Sequence, residues 1–127
     1  MADLLIASSD TLWRGRLRES LRRVPEVRGI HEAKDRPEAE HALSKFTPRV
    51  LVLDLSMPGL SGLDSLQTIR ALSPTTRTIL LVESPDDLEA VRALKEGAGG
   101  YCSRTTEPAL LLKAIRLVRN GEIWVGR

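Results

Sequence analysis

Aromatic side chains are nearly missing from these 127 residues: one Phe, one Tyr and two Trp make up 3% of the chain. A core here has to be assembled from Leu, Val, Ile and Ala, and a flavin would find little to stack on. The single cysteine, Cys102, excludes an internal disulfide and fits a reducing compartment. No apolar run approaches the roughly 18 residues of a membrane span, and Met1 leads into Ala2-Asp3 without the pattern of a signal peptide. Neither charge sign dominates, with 19 Lys and Arg against 17 Asp and Glu, so the net charge of +2 announces no nucleic-acid partner. The expectation is one soluble, cytoplasmic domain over residues 1–127 with no membrane contact.

Short apolar runs alternate with helical patterns along the chain. Leu4 to Ala7 is apolar and ends in Ser8-Ser9-Asp10-Thr11, which reads as a buried strand followed by a turn. Leu12, Leu17, Leu21 and Val24 then predict a helix, with Ser9 or Asp10 as its cap. Val27 to Ala33 is a weaker strand, and Asp35-Arg36-Pro37 opens a second helix. Val50 to Leu53 and Thr78 to Val82 show no alternation, as expected of parallel strands covered on both faces. Leu63, Leu66, Ile69 and Ala71 mark a third helix, Asp87 to Glu96 a fourth, and Glu107-Pro108 the start of a fifth, with Tyr101-Cys102 as the last strand. Five strand–helix units predict a doubly wound α/β fold around a five-stranded parallel sheet.

Open sheets of this kind place their sites at the carboxyl ends of the strands, where strand order reverses. Those ends carry Ser8, Ser9, Asp54, Val82, Glu83 and Arg104. Asp54 follows four apolar residues and begins a turn. A carboxylate there is either a functional group or a turn-forming Asp bonded to its own backbone. Arg14, Arg18 and Arg22 share a helix face, either as a solvated surface or as a dock for an acidic partner. His31 and His41 have no Cys or carboxylate arranged beside them, and no nucleophile–base pair is visible, so no enzyme is expected.

The segment Val50-Leu-Val-Leu-Asp54-Leu-Ser-Met-Pro-Gly59-Leu-Ser-Gly62 resembles the phosphoacceptor loop of two-component response regulator receiver domains. Ala93 to Tyr101 is similar to that family's fourth-helix-to-fifth-strand segment. Asn120-Gly-Glu-Ile-Trp124 resembles the exit of the NarL/LuxR subfamily, in which a helix-turn-helix DNA-binding domain follows. The resemblance implies a CheY-like, flavodoxin-like (βα)5 fold and phosphorylation of Asp54 by a histidine kinase with Mg²⁺. It also implies dimerisation through the fourth helix, fifth strand and fifth helix, where Arg92, Tyr101 and Arg116 lie, and DNA contact only through a downstream domain absent from this chain.

The sequence departs from the family at the auxiliary positions. Ser8 and Ser9 stand where the resemblance expects the metal-binding acidic pair, with Asp10 one step later. Val82 replaces the switch hydroxyl, Glu83 follows it, and Arg104 replaces the lysine. Magnesium favours carboxylate and water oxygens, so Asp54 is the one anionic ligand expected and Mg²⁺ binding is expected to be weak or absent. Arg104 is expected either to pair with Asp54 or Glu83, or to extend into solvent. The expectation is a pseudo-receiver, kept for signalling by contact within a transcriptional regulator. The alternatives are a working phospho-receiver, with Asp10 or Glu83 as displaced ligand, and a flavodoxin-type binder of phosphate or flavin at Ser8–Thr11.

Overall fold

A computed structural model describes residues 3–126. Strands β1 (Leu4–Ala7), β2 (Ile30–Ala33), β3 (Val50–Asp54), β4 (Arg77–Val82), β5 (Gly100–Ser103) and β6 (Trp124–Val125) form one parallel sheet in the order β2-β1-β3-β4-β5-β6. Between them run helices α1 (Thr11–Arg22), α2 (Arg36–Phe46), α3 (Ser65–Leu72), α4 (Asp87–Lys95) and α5 (Pro108–Arg119). The missing alternation in the central strands now has a structural cause. Leu5, Ala7, Leu51, Leu53, Leu80 and Val82 pack towards one helix layer; Leu4, Ile6, Val50, Val52, Ile79 and Leu81 pack towards the other. Every one of these positions is apolar because neither face of the sheet meets water.

Local chemistry starts the helices. Asp10, Asp35 and Asp86 each accept a hydrogen bond from the backbone N–H three residues on, satisfying a donor that the first turn leaves free. The α1 cap is therefore Asp10, and Ser9 is exposed beside it. Leu12, expected on the core face of α1, is 65% exposed instead. Trp13, Leu17 and Leu21 are spaced by four and share the inward stripe, whereas a five-residue step turns Leu12 away from Leu17. The third helix begins at Ser65, and Leu63 packs on the core from the preceding loop.

The sheet has six strands, one more than expected. Gly121 adopts φ +93°, in the left-handed region that glycine enters without a Cβ clash, and turns the chain back after α5. The Trp124 and Gly126 N–H groups then donate to the Gly99 and Tyr101 carbonyls at 3.0 Å each, covering the edge of β5. A two-residue strand has no periodicity to read, so the sequence pattern could not announce it.

Candidate functional site

The sheet order reverses between β1 and β3, and Asp54 ends β3 at that switch point, 1% exposed. Both of its carboxylate oxygens are occupied. Oδ1 accepts from the Ser56 N–H at 3.1 Å and the Ser56 hydroxyl at 2.7 Å, closing the turn that follows the strand. Oδ2 accepts the buried Ser8 hydroxyl at 2.8 Å. The Ser8 hydroxyl oxygen in turn accepts the Asp10 N–H at 3.1 Å, which leaves its own proton directed at Asp54. Asp54 is a turn-forming Asp through one oxygen and presents the other to the strand ends.

Arg104, just beyond β5, brings a single guanidinium to three carboxylates. Its Nη2 donates to Asp10 Oδ2 at 2.7 Å, Nε lies 3.5 Å from Asp54 Oδ2, and Nη1 lies 3.8 Å from Glu83 Oε2. Nε is buried and makes no hydrogen bond, so the contact with Asp54 is an ionic one. The Trp13 ring lies 5.5 Å from the guanidinium carbon, and the Trp13 indole N–H donates to the Arg104 carbonyl at 3.2 Å. The capping N–H of Trp13 and then the Arg104 guanidinium hold the Asp10 carboxyl below its usual range; the same bond to Asp10 raises Arg104. Arg104 therefore points into the site and not into solvent.

The remaining expected positions divide. Ser9 is exposed, and Ser8 makes the hydrogen bond to Asp54. Val82 is buried in the apolar cluster beneath α2, α3 and α4, while Glu83 is exposed and meets the site only through Arg104. Three contributors were missed in the sequence. Ser56 carried a signal, since a hydroxyl two residues after Asp suits such a turn. Trp13 carried none, its partner Arg104 being remote in the chain, and Arg14 was legible only as part of an arginine face.

Arg14 explains the arginine stripe. Its Nη1 donates to the Ser8 carbonyl at 2.6 Å, and it shares Glu32 of β2 with Arg18 at 2.9 and 2.8 Å. Partial burial pushes the Glu32 carboxyl up, but the two guanidiniums outweigh it and hold it below its ordinary range. Arg22 pairs with Glu19 at the surface. This face is thus partly committed to Glu32 and Glu19 and not fully solvated.

The three residues named for the α4-β5-α5 face differ in exposure, Arg92 and Arg116 being exposed and Tyr101 buried. Tyr101 is buried, with its hydroxyl donating to Glu89 at 2.6 Å and accepting the Asp86 N–H at 3.0 Å. Burial, and then the Glu89 carboxylate, push its pKa up to about 12. Arg116, exposed on α5, pairs with Glu26 in the loop after α1, and Arg92 is exposed on α4 beside Leu88 and Val91. His31 stacks on Phe46, and Cys102 is buried in the core. Among the described residues, no three His, Cys, Asp or Glu side chains gather as metal ligands do.

A doubly wound, flavodoxin-like sheet with an aspartate at its switch point defines the class of structure. The model of the response regulator receiver domain matches residues 4–116, and the chain belongs to that family. It is similar to the nitrate/nitrite response regulator NarL of Escherichia coli K12, 30% identical over 96% of this chain and 56% of that protein. It is also similar to NarP of the same strain, 31% identical over 93% of this chain and 55% of the relative. The chain thus spans about half the length of these curated relatives. A LuxR-family response regulator from Aurantimonas sp. SI85-9A1 superposes with a TM-score of 0.86 at 27% identity, covering 98% of this chain and 89% of that one.

Proposed function

We propose that this receiver domain is atypical: it keeps the phosphoacceptor-position Asp54 but works as a contact-based signalling module that needs neither phosphate nor magnesium. The observation that carries the reading is that a serine hydroxyl and a guanidinium face Asp54 Oδ2. Magnesium demands near-octahedral oxygen ligands, usually one or two carboxylates with retained waters. Here the Ser8 hydroxyl is spent on Asp54, and the Asp10 carboxylate is spent on Arg104. The residues present do not fit the ion. Val82 offers no hydroxyl to a phosphoryl group.

Within a NarL-type regulator, the domain's partners are a histidine kinase or another regulatory protein in the cytoplasm. DNA is met only through a domain outside this chain. Leu88 and Val91, exposed on α4, supply the apolar part of a homodimer or partner surface beside β5. A flavodoxin-type role for Ser8–Thr11 is disfavoured because the N–H groups of Asp10 and Trp13 are already taken by Ser8 and Asp10 side chains.

The test is incubation with Mg²⁺ and acetyl phosphate or beryllofluoride, followed by intact mass and NMR of Asp54. The expected result is no stoichiometric adduct and no saturable Mg²⁺ shift. Full modification would return the domain to the phospho-receiver reading, with Asp10 released from Arg104 to serve as a ligand.

A further inference from the structure

Between α1 and the start of α5 runs a groove that the Asp54 chemistry does not use. Its inner part, about 220 Å³, is lined by Trp13, Leu17 and Leu111, and Arg104 closes one end. Its outer part, about 750 Å³ and open to solvent, continues past Arg16, Ser20 and Pro108 to Leu12 and Gly15. The space over Gly15 is open, since a Cβ built there would meet no atom within 4 Å. Leu12, the residue turned out of the core, forms the outer apolar wall and is 65% exposed. Arg16 lines both parts, and among the described residues no carboxylate lies within 4 Å of it. Glu19, the acid on the outer rim, is held by Arg22.

We propose that this groove binds a small carboxylate with an apolar body, Arg16 taking the carboxylate and Leu12, Leu17, Pro108 and Leu111 taking the body. Apolar walls supply affinity by removing hydrocarbon from water, and a free guanidinium grips a carboxylate through paired donors. A neutral ligand would leave that cation unused, and a bare phosphate would leave the walls wet. The groove touches the Asp54 site through two residues: Trp13, which lines it, also carries the bond to the Arg104 carbonyl and lies beside the guanidinium. An occupant therefore bears on the group that neutralises Asp54. Its role as an input in place of phosphate rests on the function proposed above; binding itself does not.

The experiment titrates ¹⁵N-labelled protein with octanoate and, separately, with 1-octanol, without Mg²⁺ or phosphodonor, so that its outcome is independent of phosphorylation. Expected are saturable shifts of the Trp13 indole N–H and the Leu111 amide with octanoate. Octanol, and octanoate on Arg16→Ala, should bind about tenfold more weakly, with Arg16→Lys in between. Three results overturn the proposal: no saturable shift up to about 10 mM, equal affinity for octanol and octanoate, or a dimer that covers the groove and dissociates in Leu12→Glu.

Discussion

Arg104 faces three acids, but they are not equal partners. Asp10 receives a charge-assisted hydrogen bond, Glu83 is a solvent-screened neighbour, and Asp54 is a buried anion with no other cation within 4 Å among the described residues. Removing the guanidinium leaves Asp54 with only its serine donors. Arg104→Ala is expected to cost roughly 1–3 kcal/mol in urea unfolding, because a buried charge loses its counter-charge. Glu83→Gln should cost no more than about 0.5 kcal/mol, as exposed pairs do. Trp13 fluorescence should change in the first variant and not in the second. Asp54 and Arg104 were legible in the sequence because strand ends concentrate function in this architecture. Which of the adjacent serines meets Asp54 was not legible, because a turn fixes that choice and spacing does not.

At the scale of elements, α1 is fixed to the sheet by charge as well as by Leu17 and Leu21. Arg14 and Arg18 clamp Glu32 on the edge strand β2, and Arg14 also holds the carbonyl of Ser8. Arg14→Ala should destabilise the domain by roughly 1–3 kcal/mol and loosen the turn that aims Ser8. Arg22→Ala, on the same helix, should change stability by less than about 0.5 kcal/mol. The pH dependence has a defined sign. Glu32 is held below its ordinary value when folded, so its contribution is complete above the unfolded carboxylate range and is lost as pH falls through the lower folded value. In Glu32→Gln, the acid limb of a stability–pH curve should flatten. The helix pattern of α1 and its arginine face were readable, yet the partner of that face was not, since Glu32 lies on another element and no local spacing links it to Arg14.

The whole molecule is closed on one side by β6, a strand of two residues. Trp124 packs against the cluster formed with α1 and α5, and its N–H joins the ladder to Gly99. Trp124→Ala is expected to lower stability by about 2–4 kcal/mol through lost packing, measured by thermal or urea unfolding. Gly121→Ala should destabilise as well, since φ +93° is strained for any residue with a Cβ. The architecture was legible because each buried strand is apolar at every position and each crossover is short. The sixth strand was not, because it depends on one glycine and an unpaired edge.

The guanidinium at the strand ends has a consequence for how this pocket meets its surroundings. A counter-ion built into the chain has no bulk concentration: it cannot be dialysed away, stripped by a chelator or outcompeted by depletion of a mineral nutrient. Nor does it lose its charge at any pH the cell reaches. Arg104 can therefore leave Asp54 only by moving, through a turn of its own side chain, a competing anion or a shift of the loop that carries it.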